Sequence, residues 1–308
     1  MDNSMDNKYA NRKRQIFIYV GKFIRLYISE RQWFMLVMSG VIAFLVAQVV
    51  GRNVYKTMEG TLLGGLAIAC VCLWNGVFNS IQIVCKERGI IKREHRSGLS
   101  ITAYLASHMV VQLIVCALQS IIMIVVLILS NVHMPDEGLV TGIFLIDFFL
   151  TIFFMTYASD MLGLMVSCFV KDTTMAMTAM PFVLIVQLLF AGVAFPLSGN
   201  VAKLSNFTIT KWGVSAICIL GDYNNLPAVA IYNQVKQAAY QDDLLKAIFQ
   251  QIDGVAFTQY MSNFSQKPEY VFSAAALLET WMVFLAAIVL FAVLGEITLK
   301  FIDKDKRA

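Results

Sequence analysis

Residues 85–104 set a dense island of mixed charge between two long apolar runs: Lys86-Glu87-Arg88, then Lys92-Arg93-Glu94-His95-Arg96. A chain that lives in lipid can keep such a segment only in water, because ionised side chains are costly in hydrocarbon. Its basic residues, Lys86, Arg88, Lys92, Arg93 and Arg96, mark that water as cytoplasmic. The segment therefore reads as a cytoplasmic elbow between two membrane spans, placed where a partner can push on it.

The composition supports lipid as the second solvent. Apolar residues make up 58% of the 308 and charged residues 14%, against roughly 45–50% and about 25% in soluble domains. Six apolar runs reach the roughly 20 residues needed to cross a bilayer: 32–50, 61–84, 106–129, 140–170, 173–195 and 271–294. The fold class expected is an all-α membrane protein of six spans. The N-terminal segment is polar and basic without a signal-peptide core, so the first apolar run is expected to stay as a span.

Lysine and arginine placement orients the chain. Lys8, Arg12, Lys13, Arg14, Lys22, Arg25 and Arg31 precede the first run. Lys300, Lys304, Lys306 and Arg307 follow the last, and the connection at 131–138 has none. Both termini are expected inside the cell. Residues 1–31 then form a cytoplasmic segment in which Ile16, Val20, Phe23, Ile24, Tyr27 and Ile28 recur at helical spacing. That pattern predicts an amphipathic helix on the inner membrane surface. Residues 32–295 form the spanning domain, with the elbow at 85–104 and a large outer segment at 196–270. Within that segment, Trp212 to Leu220 is too short to cross and is expected to dip into the outer leaflet. Tyr240, Leu244, Leu245, Ile248, Phe249 and Ile252 predict an amphipathic helix. Residues 296–308 are a cytoplasmic tail. Pro181 is the one proline within a run and predicts a kink there.

The chemistry of catalysis is missing. His95, His108 and His133 are scattered, with no H-E-x-x-H and no Cys/His cluster, so neither a catalytic residue nor a metal site is expected. No phosphate-binding loop is present, so ATP is not expected to bind this chain. The six cysteines read as small apolar fillers. Nothing in the modest net charge of +4 calls for nucleic acid. Asp147 and Asp160 lie in one predicted helix, about 20 Å apart along its axis, and cannot form a two-carboxylate protease site. Asn75, Asn79 and Gln82 share one face of the second span. That face either lines a translocation path or holds helices together by hydrogen bonds, and one face could do both. Gln112 and Gln119 in the third span are expected to face protein.

The elbow resembles that of the membrane domain of ABCG-like, type-2 ABC transporters, most similar to bacterial members. Glu87-Arg88, Arg93-Glu94, Gly98-Leu99-Ser100 and Ala103-Tyr104-Leu105 carry the resemblance. So does the order of parts: amphipathic helix, six spans, charged second connection, tight turn at Lys171-Asp172, and large outer segment. The resemblance implies that the elbow is a coupling helix docked on an ATPase. Glu94 would anchor it through a charge pair with the ATPase or with the connecting helix, and Arg93, Arg96, Glu87 and Arg88 would share the role. It also places Phe190-Ala191-Gly192 in the fifth span, with Val193, Ala194 and Phe195 as the candidate outer gate. The path-facing candidates are Asn75, Phe78, Asn79, Gln82, Val186 and Phe190.

The resulting expectation is the permease half of an ABC exporter in a bacterial cell membrane, carrying an amphipathic or apolar cargo. Its partners would be an ATPase using Mg-ATP, on a separate chain or an excised domain, a second permease copy or paralogue, and membrane lipid. A proton-coupled carrier using Asp147 and Asp160 is the first alternative. A non-transporting scaffold or sensor is the second.

Overall fold

The computed structural model describes residues 11–50, 53–193, 197, 199–226, 241 and 266–301. Among these are ten α-helices: α1 Arg12–Ser29, α2 Phe34–Val50, α3 Met58–Ser80, α4 Ile83–Arg96, α5 Ile101–Leu129, α6 Phe144–Phe169, α7 Thr173–Leu189, α8 Gly199–Leu204, α9 Ile209–Leu220 and α10 Ala274–Lys300. No strand occurs among the described residues, only an isolated antiparallel bridge between Glu137 and Ile143.

Local signals set the helix ends. Thr57, Asp172 and Ser273 cap α3, α7 and α10 by accepting the backbone N–H groups of Gly60, Met175 and Ala276. Such a side-chain oxygen satisfies one of the orphan donors of a helix N-terminus. At the end of α4, Gly98 takes φ 104°. Leu99 N–H then reaches Glu94 O and Gly98 N–H reaches His95 O, both at 3.0 Å. This left-handed cap needs glycine's freedom and turns the chain straight into α5.

The six expected spans map onto α2, α3, α5, α6, α7 and α10. By length and composition, four helical runs among the described residues are able to cross a membrane: Met58–Arg96, Ile101–Leu129, Phe144–Phe169 and Ala274–Lys300. The pair α1 and α2, bent by 65°, would make a fifth if taken as one broken span. Six is reached only by counting the 17-residue helices α2 and α7 separately, at the short limit of about 17 residues for a span. Helix α7 stops at Leu189, earlier than the apolar pattern suggests, and Pro181 lies inside it without ending it.

Burial ranks the helices. The apolar windows of α3 and α6 are each 67% buried, against 22% for α10, so α3 and α6 are the central pair. Their contact depends on two glycines. A Cβ on Gly76 would collide with Thr156 O and stand 2.6 Å from Asp160 N, and one on Gly163 would meet Val77 O at 2.9 Å. Ser80 Oγ donates to Asp160 O at 2.5 Å across the same crossing. Small residues let helix backbones approach this closely where lipid offers no hydrophobic drive. Outward-facing side chains such as Val37, Leu113, Ile121, Leu285 and Val289 are apolar and exposed, the reverse of a water-soluble bundle.

Helix α9 is the expected short apolar segment. All its residues except Lys211 and Trp212 are buried, packed among α3, α6 and α10. Gln187 of α7 caps it: Oε1 accepts Ile209 N–H at 2.8 Å and Thr210 N–H at 3.4 Å. The amphipathic helix expected around Tyr240 to Ile252 lies outside the described residues.

Gly76→Ala is expected to destabilise the fold by about 1–3 kcal/mol, because the clash is with backbone and the helices must separate. A Cβ added at Gly89 of α4 would have nothing within 4 Å of it, so Gly89→Ala is expected to be neutral or stabilising by about 0.5–1 kcal/mol. Thermal unfolding in detergent checks both; equal effects would show that the crossing is not tight.

Candidate functional site

The elbow is an almost continuous extension of α3. Only Ile81 and Gln82 separate α3 from α4, so α4 starts at Ile83, earlier than the expected elbow at 85. Two groups from α6 hold its first turn. Ser167 Oγ accepts Val84 N–H at 3.0 Å and Cys85 N–H at 3.1 Å, an N-cap supplied by another helix. Arg88 Nη1 donates to Cys168 O and Val170 O, both at 3.0 Å. A guanidinium on the terminal carbonyls of α6 also meets the negative end of its dipole.

The other end of α4 is held by α1. Tyr19 OH donates to Glu94 Oε2 at 2.9 Å, and Lys22 Nζ lies 3.5 Å from Glu94 Oε1. Burial and the Glu94 carboxylate push the Tyr19 pKa up to about 12, so the phenol remains a donor at neutral pH. Gln15 clasps the turn after α4, accepting Ser100 N–H at 3.0 Å and donating to Gly98 O at 3.3 Å. Below it, Phe23 stacks on His108 with ring centroids 3.7 Å apart and meets Tyr104 edge-on at 5.5 Å. Tyr104 OH donates to Glu87 Oε2 at 3.0 Å. Lys86 Nζ meets Glu30 Oε2 at 2.7 Å, and hydrogen bonding to Lys86 lowers the Glu30 pKa. That link is intact at neutral pH and is lost only as pH falls through this depressed value. Lys86 and Glu30 side chains are 56% and 38% exposed, so the link contributes at most about 1 kcal/mol.

The expected coupling set therefore splits. Glu87, Arg88 and Glu94 point inward to α5, α6 and α1. Arg93 and Arg96 are exposed, as are Lys86, Gly89 and Ser97, and Ile90 is 40% exposed. These residues recur at helical spacing along the outward side of α4.

Beside the elbow a groove runs between α2 and α3. Its lower cavity, of 250 Å³, is lined among others by Tyr27, Glu30, Gln82, Lys86 and Gln112. Its upper cavity, of 380 Å³, is lined by Met38, Trp74, Asn75 and neighbours, and the two share Met35, Phe78 and Asn79. The amide face of α3 also holds helices together. Asn75 Nδ2 donates to Ser39 Oγ at 2.8 Å. Asn79 and Gln119 exchange two hydrogen bonds, at 2.7 and 3.0 Å.

The sequence profile of the ABC-2 type transporter family matches residues 14–219, a range that takes in most of α1, the elbow and all of α9 but its last residue. This chain belongs to the ABC-2 type transporter family. It is an integral membrane protein of the ABC transporter permease class. The ABC transporter ATP-binding/permease protein Rv1747 of Mycobacterium tuberculosis is 28% identical over 225 residues, which cover 68% of this chain and 26% of that protein. The chain thus spans about a quarter of that relative's length.

Within this ABC-2 fold the remaining expected residues disperse. Val186 lies 49% exposed on the surface of α7, and neither it nor Phe190 lines the two cavities of the groove. Val193 packs against the core, while Ala194 and Phe195 lie outside the described residues. The two carboxylates of α6 have different surroundings. Asp147, in the first turn, accepts Val140 N–H at 2.8 Å and Thr141 N–H at 3.1 Å. It ties down a loop, which sets it apart from Asp160 as a proton-relay candidate. Asp160 is fully buried and neither of its carboxylate oxygens has a hydrogen-bond partner.

Sequence reasoning did not find Tyr19, Gln15, Ser167 or Gln187 as structural anchors. Tyr19 lies four residues before Phe23, so the buried stripe of α1 already held it. Ser167 and Gln187 are single polar residues in apolar runs, a weak signal that such residues face protein.

Glu94→Gln is expected to leave the chain inserted but to loosen α1. Losing a charged hydrogen bond costs about 1–2 kcal/mol. Amide exchange across Arg12–Ser29 should speed up by roughly 5–30-fold, as read by hydrogen exchange mass spectrometry in nanodiscs. Unchanged protection would show that α1 is held by the Phe23–His108 stack alone.

Proposed function

We propose that this chain is the permease half of an ABC exporter of the type-2, ABCG-like kind, with six spans and both termini in the cytoplasm of a bacterial cell. Two copies, or one copy and a paralogue, enclose the translocation path. Mg-ATP binds an ATPase domain on a partner chain or elsewhere in a longer polypeptide, and this chain performs no covalent chemistry. The observation that carries the reading is the two-sided character of α4. Its inward side is bonded to α1, α5 and α6, and its outward side presents Ile90, Arg93 and Arg96.

On this reading the outward stripe docks on the ATPase. Closure of two ATPase domains displaces α4. Arg88 and Ser167 pass that displacement to the end of α6, and Glu94 and Gln15 pass it to α1. The spans then rock between inward- and outward-facing arrangements, driven by the different affinity of the two states for nucleotide. Asn75, Phe78, Asn79 and Gln82 face the path, with Val186 and Phe190 contributed from α7. Val193, Ala194 and Phe195 close its outer end. An apolar trough with a few amides suits an amphipathic or apolar cargo such as a lipid, peptide or drug-like molecule.

The test is co-purification of the tagged chain from its native membrane in mild detergent, with ATP photolabelling. A labelled ATPase is expected in the complex. Arg93→Glu, which places a like charge against the acidic surface expected of that partner, should weaken recovery by at least about tenfold while leaving the permease monodisperse. Equal recovery would remove α4 from the docking surface.

One observation favours a second reading. The buried and unpartnered Asp160 is the kind of intramembrane carboxyl that serves proton-coupled carriers. Proton-driven uptake that survives ATP depletion and is lost in Asp160→Asn would support it over the ATP-driven reading.

A further inference from the structure

The groove between α2 and α3 changes character along its length. At the α4 end it is polar: Tyr27, Glu30, Gln32, Gln82, Lys86 and Gln112 line it. Further along it is apolar: Phe34, Met35, Met38, Ile42, Trp74 and Phe78. From Asn79 to Trp74 the groove follows about 8 Å of α3. Its polar end sits at the 65° bend between α1 and α2, where a surface helix turns into a spanning one. On the topology proposed above, that is the depth of lipid headgroups in the inner leaflet.

The polar end carries two opposite charges at hand. Glu30 and Lys86 face each other at 2.7 Å with side chains 38% and 56% exposed, so water already competes for the pair and a ligand can open it. Beside them are two buried polar atoms without a partner, Gln112 Oε1 and Tyr27 OH. Gln112 is 3% exposed and uses its amide nitrogen toward Asn79 O at 3.5 Å, while its Oε1 stays buried behind the cavity wall without a partner. The phenol of Tyr27 is an unused donor. Such groups are costly to leave buried and unpaired.

We propose that this groove binds an aminophospholipid of the inner leaflet, with the headgroup at the elbow and one acyl chain in the trough. The phosphate accepts from Lys86 Nζ. The ammonium donates to the Glu30 carboxylate. Both charges of the native pair then keep a partner of opposite sign, which a purely anionic or a neutral headgroup cannot offer. The acyl chain lies against Met35, Met38, Trp74 and Phe78, two methionines adapting to an irregular chain. Because the groove includes Phe78 and Asn79, this inference rests on the permease reading for its role in transport, though occupancy itself does not.

The experiment uses the full chain in nanodiscs without nucleotide or ATPase. Three probes share one diazirine-bearing acyl chain: phosphatidylethanolamine, phosphatidylglycerol and diacylglycerol. Crosslinked residues are mapped by mass spectrometry. Phosphatidylethanolamine is expected to label Met38, Trp74 or Phe78 at least about fivefold more than either other probe. Glu30→Gln, which removes the ammonium acceptor and leaves Lys86 without its carboxylate, should reverse the preference toward phosphatidylglycerol. Met38→Trp, which fills the trough, should abolish labelling of Phe78 by all three. Equal labelling by all probes, no reversal in Glu30→Gln, or labels confined to the outer faces of α5 and α10 would each overturn the site and leave only unselective boundary lipid. Failure of the ATPase co-purification would leave this result untouched. Conversely, a working transporter with unselective labelling would overturn only the lipid site.

Discussion

The backbone contact between α3 and α6 is the constraint on which the other elements depend. Gly76 and Gly163 let the two helices approach until a single added carbon on either would meet main-chain atoms. In a bilayer, association has no hydrophobic drive and relies on close packing and hydrogen bonds. The crossing supplies both, since Ser80 spans it to Asp160 O. Because α3 continues through Ile81 and Gln82 into α4, the position of the elbow follows from this crossing. Ser167 and Arg88 then fasten α4 to the end of α6 itself, so α6 holds the α3–α4 run twice, in the core and at the elbow.

The second dependency is α1. It touches the elbow through side chains of different kinds: a phenol, an amine and an amide directed at Glu94 and the Gly98 turn, with a ring stack beneath. None of these is strong alone. Together they attach α4 to a helix that bends by 65° into α2, while Ser167 and Arg88 attach its other end to α6. The groove between α2 and α3 lies between those two attachments, and a shift of α4 relative to α1 would alter its polar end first.

Much of this was legible in the sequence. The apolar runs are simple hydropathy, and each of the six begins or ends within a few residues of a helix boundary. The charge island marked the elbow, and Gly98 within it proved to be the left-handed cap that the turn requires. Glu94 was singled out with the connecting helix as one of two partners, and it is Tyr19 and Lys22 of that helix that it meets. What stayed hidden is what pattern does not encode. The amides of α3 share a face, but only tertiary structure assigns Asn75 to Ser39 and Asn79 to Gln119. Asp147 and Asp160 look alike in sequence, yet one caps a loop and the other is sealed in the core, because a shift of 13 residues along α6 moves a carboxylate from the helix end to its middle. Helix α7 ended short because apolar composition continues past Leu189 while the helix does not.

The central claim is that α1 and α4 move as one body when the elbow is displaced. It is tested most directly by electron–electron distance measurements on spin labels at Phe17 of α1, 82% exposed, and Ser97 after α4, also exposed. The measurement is made in the proposed complex with the partner ATPase, with and without ATP. If the proposed complex holds two copies of this chain, the account predicts an unchanged Phe17–Ser97 distance within one chain while the Ser97–Ser97 distance between the copies shifts. A change within the chain as large as the change between chains would contradict it, and would mean that the Glu94 bonds break during the cycle instead of transmitting it.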